Sequence, residues 1–332
     1  MKKWNVCLLS MCLVFHGCAA VKDNDKIRDA FFNGATLRMT FHVTDTQGVP
    51  VSNALVNAVF RVMNKEPTEK AFTTDTNGMC TVEGLCFVNM NCSFSKEGYY
   101  GSVFNHRVLA EPPDIKDGKW QPWNPEIKIT MKEKRNPIPM YVKQSTIRLP
   151  QKGEVFGFDF KVGDLVEPYG KGEQADLFFK CVFEKKSEAF GDFKRELFIT
   201  AVQPDEGIIV REKEKWSEFR SAYEAQESGY GILYYLVTDR TPSKILQEIN
   251  KAEDEYLTFR SRIVRDDEGG IISSNYGKII DGKFDYGVDD KNPDGAVIML
   301  LYYFNPTPND RNLEYDPDEN LFDKKKFRGM QP

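Results

Sequence analysis

Histidine is scarce in this sequence, with 3 among 332 residues. His16 directly follows the N-terminal apolar run, so only His42 and His106 remain in the body of the chain. Residues 145–310 contain no histidine. That region therefore cannot assemble a Ser–His–Asp or Cys–His catalytic site, or a histidine zinc site, from its own side chains. Hydrolysis by paired carboxylates needs no histidine and is not excluded in this way.

Long apolar runs and an excess of basic residues are also missing. Beyond the N-terminus no apolar run approaches the roughly 20 residues of a membrane-spanning helix, and the mean hydropathy of the chain is −0.49. Acidic residues outnumber basic ones by 50 to 45, for a net charge of −5. Without the first 17 residues, which carry Lys2 and Lys3, the net charge is −7. This balance argues against a nucleic-acid partner.

The N-terminus has the layout of a secretory signal. It reads Met-Lys-Lys, then an uncharged and mostly apolar run from Trp4 to Phe15, then Gly17 before Cys18. The end of this segment resembles a bacterial lipobox. The resemblance implies removal of residues 1–17, a lipid on Cys18, and an exported protein anchored at the outer membrane of the cell envelope. Cleavage by an ordinary signal peptidase near Ala20 is the alternative, and it also predicts export.

Cysteine is rare in the rest of the chain, which contains only Cys80, Cys86, Cys92 and Cys181 after the lipobox. An even number in an exported chain allows two disulfides, and the spacing does not distinguish among the three pairings. The alternative is buried free thiols, because Cys80 and Cys92 lie in segments where apolar residues alternate. Both interpretations remain open from the sequence.

Strands dominate the first part of the body. In LRMTFHVTD apolar and polar residues alternate, which predicts a half-buried strand followed by a turn at residues 45–48. Further short strands follow at regular spacing, separated by turn signals at residues 75–78 and 97–98. This pattern predicts a small β-sandwich over residues 37–132, preceded by a polar tether at residues 18–36.

The stretch GVPVSNALV…TTDTNGMCTV, from Gly48 to Val82, is followed by GL and FSKEGYY. With this order of strands and turns, residues 37–132 resemble the carboxypeptidase-regulatory-like (transthyretin-like) β-sandwich family. In that alignment Asp45 and Gly48 form the first hairpin turn, and Asp75 opens the second. The resemblance implies a non-catalytic accessory or adhesive domain.

Prolines cluster between residues 111 and 140. Because proline restricts its own φ and the residue before it, residues 133–144 are predicted to form a semi-rigid linker. Residues 145–322 are again rich in aromatic and β-branched segments, which predict a second, larger β-sandwich. Residues 323–332 read as a solvated basic tail. The predicted fold class is therefore mainly all-β, with two β-sandwich domains.

One short helix is predicted in the larger domain. After Thr241-Pro242, a candidate N-cap followed by proline, apolar residues recur at helical spacing. These residues are Ile245, Leu246, Ile249, Ala252 and Tyr256.

The end of the larger domain, SNYGKIIDGKFDYG followed by YYFNPTPNDRNLEYDPDENLF, resembles the C-terminal region of uncharacterised envelope proteins of planctomycete and verrucomicrobia type. The resemblance implies membership of that group and no activity. Leu313 and Tyr315 interrupt a composition that is otherwise typical of loops. We therefore predict that this tail is ordered, with both residues in a strand beside GAVIMLLYYF and with Arg311 hydrogen-bonded.

The segment DKNPDG carries oxygen-bearing side chains at alternate positions, Asp290, Asn292 and Asp294, before a glycine. Such an arrangement opens calcium loops. An EF-hand is excluded, because Leu301 stands where the closing bidentate glutamate is required. A shorter calcium loop and a plain turn rich in Asp and Asn remain, and calcium is the one cofactor that the sequence suggests.

Two tryptophans, Trp120 and Trp123 in DGKWQPWNP, form a candidate ligand platform, since exposed aromatic faces stack on sugar rings. The alternative is that they pack the proline-rich segment onto a neighbouring sheet. No catalytic residue is assigned, because with 50 acidic residues any chosen carboxylate pair is arbitrary.

These features predict an exported bacterial envelope lipoprotein that acts as a non-catalytic binding or structural module, with carbohydrate or a surface polymer as the ligand class. The expected partners are a polymer or protein of the cell envelope, and the membrane through the N-terminal lipid only. The alternative from the enzyme class is a polysaccharide-processing hydrolase. It would use paired carboxylates in a cleft of residues 145–310.

Overall fold

A computed structural model describes residues 17–109, 114–189, 191–242, 246–249 and 254–322. Residues 1–16 of the predicted signal, which spans residues 1–17, and the predicted basic tail at residues 323–332 lie outside the described residues. Two compact units are present, one up to Lys134 together with Trp216–Glu218, the other from Arg135 to Lys215 and from Phe219 onward. No helix among the described residues is long and apolar enough to cross a membrane.

The elements of the first unit are one helix and nine strands: α1 Gly17–Asn33, β1 Ala35–Thr44, β2 Leu55–Phe60, β3 Thr68–Thr73, β4 Met79–Cys86, β5 Asn89–Ser95, β6 Ser102–Arg107, β7 Ile115–Lys116, β8 Lys119–Trp120 and β9 Glu126–Thr130. One sheet has the order β4-β1-β8-β7, with β9 also paired to β1, and the other has the order β3-β2-β5-β6.

The two sheets of the first unit enclose an apolar core. Alternate residues of β1 are buried, as the period-two pattern predicts. Phe41 from β1 meets Phe94 from β5 edge to face, with ring centroids 5.1 Å apart. At Gly84 an added Cβ would lie 2.7 Å from the Phe60 ring, so this position requires a residue without a side chain.

The predicted hairpin turns are present and are held by aspartate side chains. One carboxylate oxygen of Asp45 accepts hydrogen bonds from the backbone N–H groups of Gln47 and Val49, at 2.8 and 2.9 Å. Asp75 does the same for the N–H groups two and four residues after it, both at 2.8 Å. Gly78 closes the second turn at φ 72°, where L residues are strained.

Helix α1 precedes the first sandwich, in the segment predicted to be a tether. Ile27, Ala30 and Phe31 follow one another at helical spacing and pack on the core of the first unit. The Phe31 ring lies 5.3 Å from the ring of Phe87. The helix ends before Gly34, whose N–H donates to the Ala30 carbonyl at 2.8 Å.

The second unit consists of strands: β10 Ile138–Leu149, β11 Val155–Asp159, β12 Asp164–Leu165, β13 Leu177–Lys185, β14 Phe193–Thr200, β15 Gly207–Glu212, β16 Leu233–Arg240, β17 Leu246–Ile249, β18 Glu255–Arg265, β19 Ile271–Val288, β20 Ala296–Asn305 and β21 Tyr315–Asn320. Its two sheets have the orders β15-β18-β19-β20-β10-β21 and β12-β11-β13-β14-β16-β17. Aromatic side chains fill the core, where Phe160 and Phe259 stack with centroids 4.6 Å apart. The chain is therefore mainly all-β with two sandwich domains, as predicted.

The helix predicted after Thr241 is wrong. Residues 246–249 form β17, which pairs antiparallel with β16, and Tyr256 lies in β18. Hydrogen bonding to a neighbouring strand overrides the local helical spacing here. Ile245 and Ala252 lie outside the described residues.

The linker predicted at residues 133–144 is also wrong in its second half, which belongs to β10. Met140 and Val142 are fully buried, so alternation continues through the proline-rich segment. Pro139 is accommodated because the pairing of β10 with β21 is irregular between Ile138 and Met140.

The C-terminal tail is ordered, but its strand has a different partner. β21 pairs in parallel with β10, which separates it from β20. Tyr315 begins this strand, whereas Leu313 is buried in the loop before it. The prediction that both residues lie in a strand beside GAVIMLLYYF is therefore wrong.

The four cysteines after the lipobox are buried free thiols, and they form no disulfide with one another. Of the two interpretations left open by the sequence, the structure shows buried free thiols. Burial raises the pKa of the Cys92 thiol to about 12, with the nearby Cys80 adding to the effect. Burial likewise raises the pKa values of Cys86 and Cys181 to about 11. These thiols fill apolar core positions and are poor nucleophiles at neutral pH.

Candidate functional site

The motif NPTPNDRNLE folds into a turn held by its own first residue. Asn305 is fully buried. Its side-chain amide donates to the carbonyls of Asp310 and Asn312, both at 3.1 Å, and to the Asp310 carboxylate at 3.0 Å. Its side-chain oxygen accepts from the Thr307 N–H at 2.9 Å. An asparagine supplies both donors and an acceptor, which explains the residue type.

The same turn is fastened to the start of β19. The Asn309 side chain accepts from the Ser274 N–H at 3.1 Å and donates to the Ile272 carbonyl at 2.9 Å. Asn309 has a φ of 60°, a left-handed conformation that asparagine tolerates better than most residues.

Arg311 connects the turn to the loop before β16. Its guanidinium donates to the Ala225 carbonyl at 2.8 Å and pairs with Glu224 and Glu227 at 2.9 and 3.2 Å. The Ala225 N–H donates back to the Arg311 carbonyl at 2.8 Å. The prediction that Arg311 is hydrogen-bonded is confirmed.

Glu314 fastens the turn to the start of the second unit. Its carboxylate is buried and accepts from two successive backbone N–H groups, of Arg135 at 2.8 Å and of Asn136 at 2.7 Å. The Asn312 amide donates to the Asn136 carbonyl at 2.7 Å. A buried carboxylate with two such donors is well satisfied.

These contacts line an open polar cavity of about 370 Å³ in the second unit, which we call the tail cavity. Its lining consists of three carboxylates, two guanidinium groups, three side-chain amides and one phenol, contributed by residues 135–136, 223–224, 309–312 and 314. On one wall the Arg135 guanidinium lies over the Tyr223 ring, 3.9 Å from its centroid. A cavity of this size and composition suits a small polar ligand or one unit of a polymer.

A second depression of similar size, about 380 Å³, lies near the start of β18 and is lined by residues 210–212, 214, 220, 222 and 256. The Tyr256 hydroxyl on its wall accepts from the Ala222 N–H at 2.8 Å. Burial raises the pKa of this hydroxyl, so it stays protonated at neutral pH.

Another polar cluster is closed and structural. Arg262 in β18 donates to both oxygens of Asp176, at 2.8 and 2.9 Å, and to Asp159 at 2.7 Å. Ser261 and the Phe160 N–H supply further bonds to Asp176, both at 2.7 Å. Because both carboxylates are buried and fully bonded, this cluster braces the two sheets of the second unit.

The electrostatics of the cluster depend on Arg262. Burial opposes ionisation of Asp159, but backbone N–H groups and the Arg262 charge outweigh it and lower the pKa of this carboxyl. Arg262 has a φ of 55° beside an irregularity in the pairing of β18 with β19. The strain at this residue is offset by its ion pairs.

The tryptophan platform predicted from the sequence is not formed. Trp120 is buried in the core of the first unit, and its indole N–H donates to the Cys86 carbonyl at 2.8 Å. Trp123 is half-buried, with the Lys119 ammonium 4.9 Å above its ring. The alternative, packing onto a neighbouring sheet, describes Trp120.

The DKNPDG segment, predicted as either a short calcium loop or a plain turn, forms a loop organised by its own hydrogen bonds. The Asn292 side chain donates to the Pro150 carbonyl at 2.8 Å and accepts from the Asp294 N–H at 3.2 Å. Asp290 lies 3.5 Å from the Arg148 guanidinium. Within the described ranges no three His, Cys, Asp or Glu side chains form a group that could hold a metal ion.

Neither a protein-family model nor a curated protein matches this chain. Among solved structures it is similar to 3-chlorocatechol 1,2-dioxygenase from Rhodococcus opacus, at 15% identity and TM-score 0.26, over 31% of this chain and 61% of the dioxygenase. A DUF3823 family protein from Parabacteroides merdae is similar at 7% identity and TM-score 0.21, over 81% of this chain and 98% of that protein. The shaft pilin SpaA from Lactobacillus rhamnosus GG is similar at 12% identity and TM-score 0.21, over 70% of this chain and 89% of the pilin. These likenesses carry no functional argument.

Proposed function

We propose that this protein is an exported bacterial envelope lipoprotein that binds a polysaccharide of the envelope through the tail cavity. The single observation that carries the proposal is the composition of this cavity. Sugars present hydroxyl groups that both donate and accept hydrogen bonds. Amides, carboxylates and guanidinium groups around one hollow offer both kinds of partner, and a tyrosine ring adds an apolar face.

The state of the carboxylates favours binding over hydrolysis. A glycoside hydrolase needs one carboxylic acid that gives a proton and a second carboxylate that acts as base or nucleophile. In the tail cavity both oxygens of Glu314 accept from backbone N–H groups. Both oxygens of Asp310 accept from neighbouring residues, and Glu224 pairs with Arg311. Carboxylates committed in this way recognise and orient a ligand.

The remaining parts of the proposal come from the sequence. The lipobox-like Gly17-Cys18 supports a lipid anchor, and the resemblance of residues 37–132 to accessory sandwich domains supports a presenting or spacing role for the first unit. The partners are then an envelope polymer or protein, and the membrane through the N-terminal lipid only.

Binding is tested by calorimetric titration of the protein, expressed from Ala19 onward, with oligosaccharides released from bacterial envelope polymers. We expect at least one to bind. Substitution Asn136→Ala removes a side chain that lines the cavity and leaves the backbone N–H that donates to Glu314 in place. It should weaken oligosaccharide binding roughly 3- to 10-fold, which corresponds to the loss of one hydrogen bond. Asn57→Ala, an exposed position on β2, is the matched control and should leave the affinity unchanged. Failure of every oligosaccharide to bind the unsubstituted protein would overturn the binding proposal.

The anchor is tested separately by growing cells that express the full chain with a palmitate analogue. The unsubstituted protein should be labelled and should fractionate with membranes. Substitution Cys18→Ala should abolish the label, because the thiol that carries the lipid is gone. Equal labelling of both proteins, or labelling of neither, contradicts a lipid on Cys18.

A further inference from the structure

Arg135 is fixed at the edge of the tail cavity by its backbone. Its N–H donates to one oxygen of Glu314 at 2.8 Å, and the next N–H along the chain donates to the other oxygen at 2.7 Å. Since residues 135 and 136 contribute only their main-chain N–H groups to these bonds, the place of Arg135 does not depend on what its side chain does.

The side chain of Arg135 is held by stacking. Its guanidinium lies 3.9 Å from the centroid of the Tyr223 ring, and that ring packs on Phe219 with centroids 5.2 Å apart. Stacking fixes the plane of a guanidinium while leaving its N–H donors in that plane unused. An arginine held in this way loses little conformational freedom when a ligand binds.

The donors of Arg135 have no acceptor among the described residues. Arg311, the other arginine of the cavity, is committed to the Ala225 carbonyl and to Glu224 and Glu227. The carboxylates that line the cavity are already hydrogen-bonded or paired, as described above. Arg135 therefore presents a planar fork of N–H groups to the cavity, and no carboxylate that lines the cavity accepts a hydrogen bond from this fork.

A planar fork fits two oxygen atoms that share one carbon atom, as in a carboxylate, with N–O distances near 2.8 Å. Hydrogen bonds to a charged acceptor contribute more to binding than those to a neutral hydroxyl group. The acidic balance of the whole chain does not oppose such a contact. Charges farther than about 8 Å are screened at physiological ionic strength, and Glu224 and Glu227 are paired with Arg311.

We infer that the ligand of the tail cavity is an acidic sugar, a uronic-acid unit of a polysaccharide, and that Arg135 receives its carboxylate. The inference rests on the proposed function and names the class of polysaccharide. It assigns Arg135 as the residue that distinguishes acidic from neutral sugars.

The test compares oligomers of galacturonate and of mannuronate with their carboxyl-reduced forms, which keep the length and linkage but lack the charge. Calorimetric titration should show at least one uronate oligomer binding about 10- to 100-fold more tightly than its reduced form, the difference between a charged and a neutral contact.

Substitution Arg135→Gln should remove this preference, while binding of the reduced oligomer stays within about 3-fold of that of the unsubstituted protein. Arg135→Lys keeps the charge but loses the fork, so it should restore only part of the preference. Arg107→Gln, at an exposed arginine of β6, is the matched control and should retain it fully. Unchanged thermal unfolding of the three variants shows that the fold is intact.

The outcomes separate the two proposals. Equal binding of acidic and reduced oligomers, or binding of neutral envelope oligosaccharides alone, overturns the inference and leaves the proposed function standing. A preference that survives Arg135→Gln also overturns it, because another group would then receive the carboxylate. Absence of binding by every acidic and neutral oligosaccharide overturns both.

Discussion

Replacement of Arg262 by methionine is expected to lower the free energy of unfolding of the second unit by about 3–5 kcal/mol. Methionine keeps an unbranched apolar chain but removes three hydrogen bonds, leaving the carboxylates of Asp159 and Asp176 buried without a cation. The loss is large because an uncompensated buried charge costs far more than the pair itself stabilises.

Arg265→Met is the matched control. Arg265 lies on the same strand, but its partner Asp205 is more than half exposed, with an N–O distance of 2.7 Å. Such a surface pair contributes about 0–1 kcal/mol. Hydrogen exchange of the β18 and β19 amides in a urea series measures both variants. A loss for Arg262→Met no larger than that for Arg265→Met would contradict the bracing role.

The chain supplies an internal reference for this measurement. Trp120, Trp123 and Trp216 all belong to the first unit, and the remaining tryptophan of the sequence, Trp4, is in the predicted signal. Tryptophan fluorescence therefore reports on the first unit, whereas hydrogen exchange of β18 and β19 reports on the second.

The same variant should depend on pH in a defined direction. A carboxyl whose pKa is lowered in the folded state contributes stability above its unfolded pKa, about 3.9 for aspartate, and loses it as the pH falls through the folded value. The pKa of Asp159 is lowered in this way. Burial raises the pKa of Asp176, although Arg262 acts to lower it. Both carboxyls should therefore take up protons at a higher pH in folded Arg262→Met than in the unsubstituted protein. The stability difference between the two proteins should be largest near neutral pH and shrink as the pH falls through the acidic range.

The second large effect is expected for Gly277→Ala in β19, which should destabilise the second unit by about 3 kcal/mol, the upper part of the range for overpacked cores. An added Cβ would lie 2.2 Å from the Phe259 ring and 2.3 Å from the Tyr303 carbonyl oxygen. The carbonyl belongs to the backbone of the adjacent strand, and Phe259 is stacked on Phe160. Neither neighbour can move without separating paired elements.

Gly287→Ala, farther along the same strand, provides the comparison. There an added Cβ meets only the Arg195 side chain, at 3.5 Å, which is ordinary contact. Alanine at a compatible strand position should be neutral or stabilising by up to about 1 kcal/mol. Thermal unfolding followed by far-ultraviolet circular dichroism measures both variants. Equal unfolding temperatures of the two variants would contradict the prediction, because they would show that the strands accommodate a Cβ at position 277.

Features encoded by a few adjacent residues were predictable. The alternation in LRMTFHVTD and the turns at Asp45 and Asp75 depend on side chains and backbone groups within four residues of each other. The string SNYGKIIDGKFDYG contains Gly277, and nothing in the sequence shows why a glycine stands there. This glycine is required by strands β18 and β20, whose positions a single sequence does not reveal.

Features that depend on distant partners were missed. The spacing of Leu246 and Ile249 fits a helix as well as a strand, and only the pairing with β16 decides between them. Arg262 meets Asp176 across 86 residues of sequence, and nothing local marks the pair. Trp120 resembles a surface platform until the Cys86 carbonyl is found beside its indole N–H.

The tail cavity is of this second kind. Its floor, NPTPNDRNLE, was recognised as distinctive. The opposite wall, with Arg135 and Tyr223, comes from earlier segments that carry no signal of their own. The motif is therefore visible in the sequence, whereas the cavity depends on contacts between distant segments.

The reach of Glu314 across the chain has a consequence for biogenesis. Its carboxylate accepts from the backbone N–H of Asn136, 178 residues earlier, so this contact cannot form before residue 314 is free to fold. A chain that crosses a membrane N-terminus first presents Arg135 well before Glu314 arrives. Under the proposed function, a partly exported or truncated chain would lack the Glu314 side of the tail cavity, so we expect such a chain not to bind the polymer.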